Sequence, residues 1–139
     1  MHAARFVRAA ERFTAAPIMF VGILRLGFSI VGAQSLKDKR RVVRSFKERA
    51  QAKWRVAIAE VGELDQPKRA WLGVATVANE AAQCDAVLAD VAAAAANLGD
   101  AILTDRATEI IPFGFGGAGV QGGIEQLGLS TGEEPEDEP

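Results

Sequence analysis

Few side chains in this sequence could do covalent or acid-base chemistry. There is one histidine, His2, and one cysteine, Cys84. A lone histidine in an N-terminal arm cannot form the usual acid-base or Cys/His metal sites, so both classes are excluded on counts. Cys84 falls on the apolar stripe of a predicted helix, whereas a reactive thiol needs an exposed, electropositive setting, so it reads as a small core residue. Glu60, Glu63 and Asp65 cluster around one loop and could in principle hold a divalent cation or act as an acid-base pair. With nothing to fix their geometry, they read as solvated loop charges. Residues 114–119 formally fit G-x-G-x-x-G, but no helix opens there and no lysine follows, so nucleotide binding is not supported. They read as a flexible tether. No catalytic residue, metal ligand, cofactor or small-molecule substrate is expected.

The residues with a physical argument for function are cations. Residues 35–55 hold nine basic residues against two acidic ones, a local balance of +7 in a chain whose net charge is −2. Ser35 followed by Asp38 is a capping-box pattern that marks a helix start. Leu36, Val43, Phe46, Ala50 and Trp54 then recur at spacings of three, four and seven, one stripe of an amphipathic helix. Lys37, Arg40, Arg41, Arg44, Lys47 and Lys53 occupy the other side. Clustered Lys and Arg on a rigid helix attract phosphate backbones regardless of sequence. The bland alternative is a charged solvent face.

The remainder of the chain must carry −9, much of it in Glu133, Glu134, Glu136, Asp137 and Glu138 among prolines. Such a segment buries no apolar surface and reads as a disordered, solubilising tail. Folding back onto the basic helix as a competitor for an anionic partner is the minor alternative. A length of 139 residues allows one ordinary core, and half the residues are apolar. Arg25 interrupts the best apolar run, so no membrane-spanning helix is expected. One cysteine permits no intrachain disulfide, which suits a reducing, cytoplasmic setting.

Residues 1–18 are Arg-rich and lack a secretory signal pattern. They read as a disordered arm or an upstream mis-start before Met19, although the composition also fits an organellar presequence. Residues 20–30 alternate, with Phe20, Leu24, Leu26, Phe28 and Ile30 on one face, the signature of a strand. Gly32 supplies a turn into the basic helix. A short apolar strand is expected over 55–61, a loop over 62–69, and a third strand over 70–78. Asn79 is the expected N-cap of a second helix with Cys84, Val87, Leu88, Val91, Ala95 and Leu98 inward, and Gly99 its stop. Residues 101–112 supply a fourth strand, whose Asp105, Arg106, Thr108 and Glu109 suit an edge.

The order β-α-β-β-α-β with right-handed crossovers is a ferredoxin-like α+β fold, two helices covering one face of a four-stranded antiparallel sheet. The expected domain is 19–113, and 114–139 form a Gly-rich, then acidic, tail. The uncovered face would show Val21, Ile23, Arg25, Trp71, Ala75 and Val77, apolar enough to suggest a self-association surface.

MFVGILRL at 19–26, SLKDKRRVVRSFKER at 35–49, VAIAEVG at 56–62 and WLGVATVAN at 71–79 resemble the YlxP-like family of small bacterial proteins. The resemblance covers about 19–112, and the Ser35 run is its specific part. The upstream arm, a loop with Pro67 and the C-terminal extension depart from it. The resemblance implies a ferredoxin-like fold and, in some bacteria, genes lying among those for translation initiation and ribosome maturation. It implies no established activity and no functional residues.

Two functional expectations follow. The first is a non-catalytic binding protein that contacts RNA or the ribosome through Lys37, Arg40, Arg41, Arg44 and Lys47. The second is a self-associating structural or regulatory domain, a homo-oligomer joined through Val21, Ile23, Trp71 and Val77.

Overall fold

The structure, a computed structural model, describes residues 17–114. The arm over 1–16, with His2, and the Gly-rich and acidic segment from 115 onward lie outside the described residues. The order is β1 (Met19–Ser29), α1 (Leu36–Trp54), β2 (Ala57–Glu60), β3 (Arg69–Ala78), α2 (Ala81–Ala96) and β4 (Ile102–Phe113). The four strands pair antiparallel in the order β2-β3-β1-β4. The fold is the ferredoxin-like α+β arrangement, with β1 and β3 central and β2 and β4 at the edges. No helix of the described residues is long and apolar enough to cross a membrane.

Alternation along β1 decides which face is covered. Leu24, Leu26 and Phe28 are buried beneath the helices, whereas Ile23 and Arg25 are exposed on the other side. Phe28 meets Phe46 of α1 edge-on, with ring centroids 6.2 Å apart. Gly22 lets α2 sit directly on the sheet, because a Cβ there would come within 2.8 Å of Leu88 Cδ1 and 3.0 Å of Cys84 Cβ. One core of Leu, Ile, Val, Phe and Ala residues results. Cys84 is inside it, its Sγ 3.4 Å from the Phe20 carbonyl oxygen. Burial pushes its thiol pKa up, which disfavours the thiolate.

Several boundaries differ from those the sequence suggests. β2 is only four residues long, because Arg55 takes a left-handed conformation (φ 55°, ψ 43°) to close α1, and its N–H reaches Gln51 O at 2.9 Å. Val56 is buried outside the strand, and Val61 still donates to Trp71 O at 2.8 Å. α2 is capped by Glu80 rather than Asn79, without a side-chain cap bond, because the chain stays extended one residue longer on leaving β3. It ends at Ala96, three residues before Gly99. Asn97 closes it instead, through its N–H to Ala94 O and its side-chain amide to Ala93 O. Leu98 therefore packs on the core from beyond the helix. β4 departs from regular pairing at one point, a register shift opposite Gly27 and Phe28.

Candidate nucleic-acid interface

α1 is held at both ends. Ser35, extended at φ −154° and ψ 165°, accepts the Asp38 N–H on its Oγ at 3.1 Å. Asp38 reaches back to the N–H of Gln34, at 2.9 Å, one residue earlier than the reciprocal bond of a capping box. Its carboxylate also suits the positive end of the helix dipole.

The outer side of this helix is the cationic face the sequence indicates. Lys37, Arg40, Arg41 and Arg44 are exposed and Lys47 is half-buried. They recur at steps of three or four residues, which places neighbours roughly 5–6 Å apart along one side. Arg41 stands 3.8 Å from Asp38, a loose contact between exposed groups that contributes little. Lys37, Arg40, Arg44 and Lys47 have no carboxylate within ion-pair distance among the described residues. The long side chains enclose a shallow groove of about 550 Å3 along residues 37–49, with Glu48 its single acid.

Lys39 belongs to the inside. It is 1 % exposed and completes the 36, 39, 43, 46, 50 row on the covered side. Its ammonium donates to the carbonyls of Glu63 and Arg69, both at 3.0 Å, and lies 2.8 Å from Glu60 Oε2, in ion contact outside hydrogen-bond geometry. The expectation that Glu60, Glu63 and Asp65 are solvated loop charges is thus corrected for Glu60, whose side chain is only 17 % exposed. Burial of a partner cation draws the carboxylate in. The three acids do not converge, since Glu60 faces Lys39, Glu63 faces Arg69 and Trp71, and Asp65 is exposed.

On the open face, the indole of Trp71 lies across Gly27, where a Cβ would come within 2.6 Å of Trp71 Cζ3. Its Nε1 donates to Glu63 Oε1 at 2.7 Å, and Arg69 Nε donates to the same oxygen at 2.9 Å. Those two donors, the guanidinium first, hold the Glu63 carboxyl below its ordinary value. The guanidinium carbons of Arg25 and Arg69 each stand 5.8 Å from the ring. Pairing of Arg25 with Gly73 and of Ser29 with Arg69 puts these arginines on opposite sides of the Trp71–Gly27 row. Arg25 is tied in turn to Asp105 at 2.8 Å. Trp71 is therefore the centre of a closed polar network.

The other proposed self-association residues lie elsewhere. Val21 pairs with Val77 and with Ile111, and Ile23 with Ala75, at the opposite end of the sheet from Trp71. Ile23 is 42 % and Val77 61 % exposed, with Phe113 beside them at 41 %. The structure brings Val21, Ile23 and Val77 together and leaves Trp71 four to six residues away, roughly 13–20 Å along the strands.

Sequence reasoning missed Lys39, Arg69 and Asp105 as partners. The heptad-like spacing of Lys39 was the available signal for the first; Arg69 meets Glu63 only once the 62–69 loop folds back on β3, and Asp105 meets Arg25 only through strand pairing. No curated protein matches the chain significantly. The profile of one protein family matches residues 21–108, from the start of β1 into β4 and including the whole of α1. The chain thus belongs to the DUF503 family, described as proteins of unknown function.

Proposed function

We propose that this protein is a non-catalytic, cytoplasmic RNA-binding protein that contacts phosphate backbones, those of ribosomal RNA included, through the outer side of α1. The observation that carries this reading is the run of Lys37, Arg40, Arg44 and Lys47 on one helix face without carboxylate partners among the described residues. Surface cations gain most when they neutralise phosphates and release condensed counterions, and a capped helix holds them at fixed spacing. Backbone rather than base recognition is the mode, because Trp71 already stands in its own polar network on the far side of the sheet. The resemblance to YlxP-like proteins, with their genes among those for translation, supports the same direction. The test replaces Arg40, Arg41 and Arg44 with Glu in the full chain. Co-sedimentation with RNA or ribosomes at about 50 mM salt is expected for the natural chain and lost in the variant; failure of the natural chain to bind defeats the reading.

A second reading rests on the apolar patch of Val21, Ile23 and Val77 on the uncovered sheet. A patch of this kind suits pairing with a second copy through the sheet faces. Val77→Asp, at an exposed position, is expected to turn such an oligomer into monomers; an unchanged sedimentation coefficient defeats this reading.

A further inference from the structure

Next to the basic groove on α1 lies a second one of different character. It has a volume of about 510 Å3 and runs between the C-terminal half of α1 and Ala94 of α2, with Ala52, Trp54 and Ala94 as its accessible apolar lining over the buried Phe46 and Ala50. Arg49 borders both grooves, so an apolar trough leads directly into a cationic one. Lys53, stacked over Trp54 at 5.0 Å, forms the rim.

The sequence contains a segment with the same two characters in the same order. Ile124, Leu127 and Leu129 are followed by Glu133, Glu134, Glu136, Asp137 and Glu138. Glu133 lies four residues after Leu129, a span of up to about 14 Å in an extended chain. Along α1, the nine residues from Lys53 back to Arg44 cover about the same distance at the rise of an α-helix. An apolar segment beside Trp54 would thus deliver the acids onto the ridge.

The topology gives the segment a short route. β4 leaves the sheet at Phe113, which pairs with Met19 at the start of β1. α1 ends at Trp54, and Ala57 just beyond it pairs with Ala75, the partner of Ile23, so α1 finishes toward the same end of the sheet. Residues 114–123 are rich in glycine. Ten residues of such composition span about 16–19 Å on average as a coil and at most about 33–36 Å extended. Crossing from β4 to α1, which packs over β2 and β3, takes two to three strand spacings and one packed layer, roughly 20–25 Å.

We infer that residues 124–138 dock along the outer surface of α1, with their apolar part against Trp54, Ala52 and Ala94 and their acidic part over Arg40, Arg41 and Arg44. The C-terminal segment is then a tethered competitor for the phosphate backbone, a consequence that rests on the function proposed above, whereas the docking does not. Tethering supplies the acids at millimolar effective concentration, enough for a weak contact to lower apparent RNA affinity several-fold to about tenfold.

The experiment compares the full chain with a full-length variant carrying E133Q, E134Q, E136Q, D137N and E138Q. The readouts are backbone amide NMR shifts of the 15N-labelled proteins and the affinity for a single-stranded RNA oligonucleotide at about 50 mM salt. Docking predicts that the amides of residues 44–54 and of Ala94 differ between the two chains, independently of protein concentration, and that the variant binds RNA up to about tenfold tighter. Coincident amides overturn the inference, even where both chains bind RNA equally and the RNA reading stands. Differences that disappear on dilution assign the groove to a second copy's segment and overturn it as well. If neither chain binds RNA while the amides differ, docking stands and the RNA reading fails.

Discussion

The ammonium of Lys39 stands 2.8 Å from Glu60 Oε2, beneath a helix whose other lysines and arginines, the half-buried Lys47 apart, are exposed. The same nitrogen holds the carbonyls of Glu63 and Arg69, so one side chain fastens α1 to the end of β2, to the 62–69 loop and to the start of β3. Lys39→Met would leave Glu60 without its counter-charge and two carbonyls without a donor. Removing one partner of a buried pair costs about 3–5 kcal/mol, and the residual exposure of Glu60 places this case toward the lower end. Lys39→Met with Glu60→Leu is expected to recover much of the loss, since apolar replacement of both partners is often neutral. Urea unfolding of the two variants measures this. RNA affinity is expected to stay unchanged while the fold persists, because Lys39 is no part of the ridge.

The Trp71–Glu63 bond makes a pH probe. Glu63 receives the Arg69 and Trp71 donors on one oxygen, which sets its pKa below the ordinary value of 4.5 in the folded state. A depressed carboxylate contributes stability fully above the unfolded value and loses it as pH falls through the folded one. In a Trp54→Phe background, Trp71 fluorescence is expected to titrate with a midpoint below 4.5. Glu63→Gln is expected to abolish that step. A midpoint at or above the ordinary value contradicts the arrangement.

Gly27 carries the indole. An added methyl would stand 2.6 Å from Trp71 Cζ3, so Gly27→Ala must push the ring from the sheet and break its bond to Glu63. Overpacking of this kind costs about 1–3 kcal/mol. In a Trp71→Ala background the same substitution should be close to neutral. A double-mutant cycle by thermal or urea unfolding is expected to give a coupling of about 1 kcal/mol or more; additivity would place the indole elsewhere.

Local patterns in the chain carried the architecture: the alternation of Phe20 to Ile30, the Ser35 cap and the apolar stripe of α1 specify β1 and α1 almost to the residue. Boundaries set by tertiary need were less legible. Arg55 turns left-handed to bring the chain back to the sheet, and Glu80 caps α2 where Asn79 would have bonded better. The ridge was visible in composition and spacing, yet the count of charges alone could not separate Lys39 from Lys37 and Arg40. Only the row 36, 39, 43, 46, 50 distinguishes them, and a lysine on an apolar row becomes intelligible once its three oxygen partners, all more than 20 residues away, are in place. The Trp71 network was illegible for the same reason. Arg25, Gly27 and Asp105 converge on Trp71 through strand pairing and Glu63 through the loop before β3, which no local pattern encodes.

The central claim is that α1 meets phosphates with its outer cations, and the dependence of RNA affinity on salt tests it most directly. Fluorescence anisotropy of a labelled single-stranded RNA oligonucleotide is measured from about 50 to 200 mM salt. Four phosphate contacts by Lys37, Arg40, Arg44 and Lys47 predict a slope of log K against log salt of about −3, and about −0.7 less steep for each cation replaced by Gln. A natural chain that shows no binding at the low-salt end, or a slope untouched by Arg40→Gln and Arg44→Gln, would contradict it.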